Sequence, residues 1–247
     1  MANIQKTMGV VLKTMPFKES SLIASILTRR FGKIKVIAKG VRRPKSKFCG
    51  ALELFSLDEI IFYKRESKEI YTLSDASIVD HFERIREFPQ KVNGAMVLCE
   101  FFDKTLPAED VDDKSFAFLL SFLNRLQTIG ESAIKSLVFC HLIKVLSGAG
   151  VRPHLENCVR CHQLISYDNK RIDFSIGAGG LVCDKHFDDT VVFFSDETVN
   201  LMRQIYNNEN IHIDNDSLSE IEGFIPDYLY YHLNGIVLNS LKHLNKM

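Results

Sequence analysis

No run of apolar residues in this chain approaches the roughly 18 needed to cross a bilayer, so nothing in it predicts a helical membrane span. The amino-terminal stretch MANIQKTMGVVLKTMPFKESS lacks a basic head followed by an uninterrupted apolar core, and it predicts no secretory signal. Six cysteines in 247 residues are too few and too scattered for a disulfide framework, since Cys49, Cys99 and Cys140 each stand alone. That usage predicts a reducing, cytoplasmic compartment. There is no internal repeat, no low-complexity segment and no net charge, with 31 basic residues against 31 acidic. What remains is 46% hydrophobic and 25% charged, an ordinary globular composition with length enough for more than one core.

The neutral total hides an asymmetry. Residues 1–80 hold 15 basic and 8 acidic residues, a net of +7, and residues 81–247 hold 16 and 23, a net of −7. The positive excess is concentrated in RRFGKIKVIAKGVRRPKSK, which carries Arg29, Arg30, Lys33, Lys35, Lys39, Arg42, Arg43, Lys45 and Lys47 and no acid. Such a cluster repels itself and is most easily tolerated against a polyanion. Nucleic acid fits, because Lys and Arg that neutralise phosphates release condensed counterions. The plain alternative is a solvated charged face.

The first 80 residues read as five strands: Gly9–Thr14, Ser20–Thr28, Lys33–Val41, Leu52–Tyr63 and Ile70–Val79, with Pro16 and Gly32 as breakers and residues 64–69 as a polar hairpin loop. Five short strands without a long helix suggest a small closed or nearly closed barrel. In the third strand, Ile34, Val36 and Ala38 share one face, while Lys33, Lys35 and Lys39 fall on the other, interrupted by Ile37. Gly40 and Pro44 make the next segment a loop, so a cationic strand face runs into a cationic loop. Among the nearby aromatics, Phe31 and Phe48 are the candidates for stacking on bases.

After Phe88 the period becomes helical: Val92–Lys104, Ser115–Leu126, Ser132–Ser147, a helix from Ser195 to about Asn207, and a final helix over Ser217–Lys246 with Pro226 near a break or a first turn. Cys140 and His141 lie in the most apolar of these and read as core or helix-surface residues. Between the helices, Cys158 and Cys161 are followed after 21 residues by Cys183 and His186. Two pairs with two-residue spacers can each turn back on one ion and supply a tetrahedron of three thiolates and one imidazole, the usual structural zinc set. His186 is the fourth ligand by spacing, with His162 and His154 as alternatives. Residues 170–176 would form a ribbon strand and Gly177 to Gly180 a tight turn, in an insert poor enough in apolar material to need the metal clip. A redox CxxC is disfavoured by the second pair, and a phosphate loop by the absence of GK[ST].

These pieces together resemble the RecO family of bacterial recombinational repair proteins. The resemblance is carried by GVVLKTMPFKESS, LTRRFGKIKVIAKGVRRPKSKF and ALELFSLDEIIFY, then by ENCVRC, GGLVCDKH and DYLYYHLNGIVLNSLKHL. It implies an α+β multidomain chain: an amino-terminal OB-fold barrel (1–80), an α-helical bundle (81–152 and 191–247) and a zinc-ribbon-like insert (153–190). It implies binding of single- and double-stranded DNA, annealing of complementary strands, and assistance in loading RecA onto single strands covered by single-strand-binding protein (SSB). RecR, the acidic SSB tail and in some members RecF are the implied partners, at the nucleoid of a bacterial cytoplasm and not at a membrane. Lys33, Lys35, Lys39, Arg42, Arg43, Lys45 and Lys47 match the family's basic strand and loop, flanked by Arg29 and Arg30. Many zinc-bearing members have Cys where this chain has His186.

The expected activity is binding without catalysis. The competing reading is a zinc-dependent hydrolase or deaminase acting on nucleic acid, which needs an open metal position and a carboxylate such as Glu156. A third reading is an adaptor whose basic patch takes an acidic protein tail.

Overall fold

The computed structural model describes residues 3–43, 46–48, 50–65, 68–165, 171–207 and 211–244. It divides into two compact units, residues 1–129 and 130–247.

In the first unit, strands β1 (Asn3–Phe17), β2 (Ser21–Thr28), β3 (Gly32–Ala38), β4 (Leu57–Lys64) and β5 (Ile70–Asp80) close into a barrel in the order β1-β2-β3-β5-β4. All neighbours are antiparallel except β3 and β5, which run parallel, as in an OB-fold. β1 starts six residues before the expected Gly9 because it serves two partners. Its first half pairs with β4 from Asn3↔Lys64 to Val10↔Leu57, and its second half pairs with β2, with a register shift between Val11 and Lys13. Gly9 sits in both ladders, where a Cβ would meet Ile26 at 2.5 Å. The barrel interior is apolar: Val11, Ile26, Ile34, Val36, Ile60, Phe62 and Tyr71 are buried together.

The fourth strand begins at Leu57 rather than at Leu52. Leu52 and Phe55 adopt positive φ (66° and 52°), which ends any extended run, and Phe48, Ala51 and Leu52 are buried in the barrel's core. The apolar run that reads as a strand is a plug, anchored where the Leu52 amide donates to Asp58 Oδ2 at 2.8 Å. Helices α1 (Glu83–Arg86), α2 (Pro89–Thr105) and α3 (Asp113–Thr128) complete the unit. Pro89 opens α2, and Asp112 caps α3 by accepting from the amides of Lys114 and Ser115. The buried Lys91 ammonium donates to the Gln127 carbonyl at 2.8 Å, joining α2 to α3. Compactness places these helices with the barrel, in the unit that ends at Ile129, because they pack with one another and with β1.

The second unit contains α4 (Ile134–Gly148), a three-stranded antiparallel sheet in the order β7-β6-β8, and helices α5 (Asp196–Asn207), α6 (Asn215–His232) and α7 (Leu241–Leu244). The strands are β6 (Ile172–Ser175), β7 (Gly180–Leu181) and β8 (Val191–Phe194). The expected insert is not poor in apolar contacts. Phe174 and Phe194 each lie 5.1 Å from Phe224 of α6, centroid to centroid, and Ile172 and Leu181 are buried. The final helix also differs from expectation: Pro226 lies inside α6 without ending it. The end comes at Leu233, followed by Asn234 (φ 51°) and Gly235 (φ 78°). There the Gly235 amide donates to the Tyr230 carbonyl at 2.9 Å, a left-handed cap that satisfies an orphan carbonyl.

Candidate nucleic-acid interface and metal centre

On the barrel, the alternation of β3 decides what faces out. Ile34, Val36 and Ala38 are buried, and Lys35 and Lys39 are exposed on the other face. Arg29 and Arg30, at the β2–β3 turn, and Arg42 and Arg43, in the loop after β3, are exposed as well. Among the described residues none of these six forms an ion pair. Lys45 lies outside the described residues.

Of the eight that are described, two donate to backbone carbonyls. Lys33 bends away from the strand face to donate to the Asp103 carbonyl near the end of α2, and burial lowers its pKa, opposed by Asp103 and reinforced by Lys35. Lys47 donates to the Ser74 carbonyl, with its ammonium 5.1 Å from the Phe48 ring. Of the two stacking candidates, Phe48 is only 3% exposed and belongs to the plug, so no base reaches its ring. Phe31 is half-buried, edge-on to Phe62 at 5.4 Å, with Arg30 at 5.7 Å from its centroid.

A cleft of about 450 Å³ opens beside this face, lined by Lys39, Tyr63, Arg65, Lys68 and Ile70 among others. Arg65 and Lys68 belong to the β4–β5 hairpin, which the sequence marks only as a polar loop. Their alternation with Glu66 and Glu69 masks them in a charge count, and closure of the barrel is what brings them beside Lys39. Tyr63, at the outer face of β4, adds a partly exposed ring to the same cleft.

In the second unit, two hairpin turns meet. The chain from His154 runs parallel to β7, with the His154 amide donating to Gly179 O and the Leu181 amide to His154 O, both at 2.9 Å. Gly180 is required there, because a Cβ would lie 2.7 Å from that of His154. The Val159 amide donates to Leu181 O at 2.8 Å, which carries Cys158 towards Cys183. Cys158, Cys161, Cys183 and His186 bring their ligand atoms within 4.8 Å of one another. Cys161 Sγ and Cys183 Sγ are 3.8 Å apart, and His186 Nδ1 is 3.2 Å from Cys183 Sγ and 3.6 Å from Cys158 Sγ.

A regular tetrahedron with metal–sulfur bonds of about 2.3 Å has an edge of about 3.8 Å, so the group fits one ion of zinc's preferred size and geometry. His154 is turned elsewhere, its Nε2 bonded to Asn157 Oδ1 at 2.7 Å, and His162 is outside the group, which leaves His186 as the fourth member. Burial alone would raise the Cys158 thiol, but the amides of Cys161, Arg160 and Cys183 outweigh it and draw the pKa down to about 6. Burial, then the neighbouring thiols, raises Cys183. A cradle that stabilises the Cys158 thiolate while Cys183 resists ionising is what a cation resolves.

Cys99, Cys140 and His141 play no part in this, and Cys49 lies outside the described residues. Burial, then Asp103, pushes Cys99 up to about 12; Cys140 lies 3.7 Å from the Ile211 carbonyl; His141 Nδ1 meets the Leu137 carbonyl at 2.8 Å within α4.

The family model described as Recombination protein O N terminal matches residues 1–82, and the one described as Recombination protein O C terminal matches residues 86–242. The chain belongs to the RecO family. A protein of Dehalococcoides mccartyi named DNA repair protein RecO is 32% identical over 225 residues, 88% of this chain and 86% of that one. Its namesake in Alkaliphilus metalliredigens is 26% identical over 252 residues, 98% and 99% of the two chains. The one in Caldicellulosiruptor bescii is 34% identical over 183 residues, 73% and 71%. The RecO N-terminal match ends beside the last barrel strand, so α2 and α3 belong to the C-terminal match while packing in the first compact unit. No helix among the described residues of this RecO chain is long and apolar enough to cross a membrane.

Proposed function

We propose that this chain is a DNA-repair recombination mediator that acts by binding and not by catalysis. The carrying observation is the set of exposed cations, Arg29, Arg30, Lys35, Lys39, Arg42 and Arg43, which form no ion pair among the described residues, on the OB barrel of a RecO-family chain. Lys45 extends the set in sequence, while Lys33 and Lys47 border it with their ammonium groups already bonded to carbonyls. The face holds the phosphate backbones of single- and double-stranded DNA. By lowering their mutual repulsion it anneals complementary strands without base-specific contacts. In this reading the protein works with RecR, and in some settings RecF, to load RecA onto SSB-covered single strands, meeting the acidic SSB tail as it does so. It acts in the bacterial cytoplasm.

Cys158, Cys161, Cys183 and His186 hold one zinc ion in this reading. Four protein ligands leave no position for a substrate or an activated water, so the metal's role is to fix the two turns. Glu156 is exposed beside the group and has no open metal position to serve.

The test is equilibrium binding of labelled oligonucleotides of differing sequence across a salt series. The expected result is a linear fall of log affinity with log salt, about 0.7 per phosphate contacted on single strands, with little dependence on sequence. Replacing Arg42, Arg43 and Lys45 by Glu should weaken binding to every sequence alike. Unchanged affinity in that variant, with folding intact, would remove the face from the DNA site.

A further inference from the structure

One acidic segment lies against the barrel beside the cationic face. Residues 106–113 join α2 to α3 and hold Glu109, Asp110, Asp112 and Asp113 with no base. The backbone alone fixes where the segment crosses β3. The Glu109 amide donates to Lys33 O at 2.9 Å, and Ala108 bridges to Lys33. Gly32 (φ +61°) lies so close to the Asp110 backbone that no Cβ would fit.

The Glu109 side chain is therefore spare to the anchoring, and it does something else. Its Oε2 accepts from Lys64 Nζ at 2.7 Å and its Oε1 accepts from the Tyr71 hydroxyl. Burial and the adjoining carboxylate push Tyr71 up to about 12, so the hydroxyl remains a donor. Lys64 is also 5.6 Å from the centroid of Phe31, the ring that Arg30 approaches, and Tyr71 lines the cleft that holds Lys39, Arg65 and Lys68. An ammonium and a hydroxyl converging on two carboxylate oxygens are the same donors that the two non-bridging oxygens of a phosphodiester accept from.

We propose that Lys64 and Tyr71 form a phosphodiester subsite of the barrel, filled in the free protein by the Glu109 carboxylate, which a phosphate of bound DNA displaces. The subsite rests on the reading of this barrel as DNA-binding. A partly exposed ion pair is weak and exchanges readily. The backbone anchors at Lys33 and Gly32 keep the carboxylate at hand to return when DNA leaves. Glu109 thereby sets a threshold: DNA must supply a better-placed anion than the protein's own.

The experiment uses the full chain and a fluorescein-labelled oligothymidylate across a salt series. Glu109→Gln should raise affinity roughly three- to tenfold at low salt, because the phosphate no longer has a carboxylate to displace, while the salt slope stays near that of the unaltered chain, since the same phosphates are contacted. Asp110→Asn removes the same charge from the same segment. Among the described residues no hydrogen bond or ion pair joins Asp110 to Lys64 or Tyr71, so it should leave affinity within about twofold of the unaltered chain. Adding Lys64→Gln to Glu109→Gln should abolish the gain. In the unaltered protein, the ring resonance of 13C-labelled Tyr71 should move on saturation with the oligonucleotide, a readout independent of any variant's folding.

Equal effects of Glu109→Gln and Asp110→Asn, a gain that survives loss of Lys64, or a Tyr71 resonance indifferent to DNA would each overturn the subsite. If the unaltered chain does not bind the oligonucleotide at all, the DNA-binding reading fails and the subsite with it. Normal binding with any of the three adverse results sinks the subsite alone.

Discussion

The two units each gather groups of one kind, and they do so in opposite directions. On the barrel, Lys35, Lys39, Arg42 and Arg43 point outward, spread along a strand face and the loop after it, with the apolar side of β3 turned into the core. In the second unit, three thiols and an imidazole point inward, to within 4.8 Å of one another, where backbone amides already favour a thiolate at Cys158. Groups that converge can share one small ion, and their spacing has to match its bond lengths. Diverging groups have no such internal remedy, so their repulsion is relieved from outside, by salt or by a bound anion. In the proposed reading the diverging cations of the barrel make an interface and the converging group makes structure, and each needs a different kind of test.

The largest effect should come from reversing the outward charges. Arg42→Glu and Arg43→Glu with Lys45→Glu should lower affinity for single-stranded DNA by about 100-fold or more at low salt, and by less as salt rises. The metal content and the melting of the second unit should not change. A parallel loss of metal would break the separation between the two regions.

Removing the inward ion comes next. Cys161→Ser, or strong chelation, should take bound zinc from one per chain to near zero and destabilise the second unit by several kcal/mol, less than full metal-dependent folding would cost. The sheet should persist, because Phe174, Phe194 and Phe224 hold it to α6 without the metal. Amide exchange would check this, with faster exchange at Val159 and His186 and retained protection at Phe174. Complete loss of that protection would mean that the ion, not the aromatic cluster, builds the ribbon.

A smaller effect separates packing from binding within the barrel. Phe48→Ala should cost about 3–5 kcal/mol of stability, as a buried aromatic does, and leave DNA affinity of the folded protein nearly unchanged. Chemical denaturation and oligonucleotide titration on the same sample decide between the plug and a stacking platform.

The smallest is a matter of pH. Burial raises the pKa of Asp58, against the opposing pull of the Leu52 amide, Ser56, His81 and Arg86. The folded state then binds the proton more tightly than the unfolded one, so stability falls as pH rises from below the ordinary Asp value through the raised one. Asp58→Asn can still accept from the Leu52 amide and Ser56, and it should flatten that dependence by about 1 kcal/mol or less. Thermal melts between pH 4 and 7, on the order of one unit apart, would show it.

Legibility in the sequence divides along the same line. Period two in β3 marked the outward Lys35 and Lys39 directly, and the paired two-residue spacers marked the four side chains that converge and could hold a metal ion, because both signals are local. The plug was not legible, since the apolar run from Ala51 to Phe55 has a strand's composition and only the positive φ at Leu52 and Phe55 distinguishes it. Nor was the bend of Lys33 to Asp103, 70 residues away, or the arrival of Arg65 and Lys68 beside Lys39, which depends on closure of the barrel. Pro226 misled for a related reason: a proline within a helix costs a hydrogen bond, but the packing of Phe224 and Tyr228 against the sheet keeps α6 running past it.

The most direct measurement of the central claim is the annealing rate of complementary oligonucleotides coated with SSB, at low salt, with the unaltered chain and with the Arg42, Arg43 and Lys45 reversal variant side by side. A mediator that works through this cationic face should give acceleration by the unaltered chain, fading as salt rises, and little or none by the variant. Equal acceleration by both, or none by either, would contradict it.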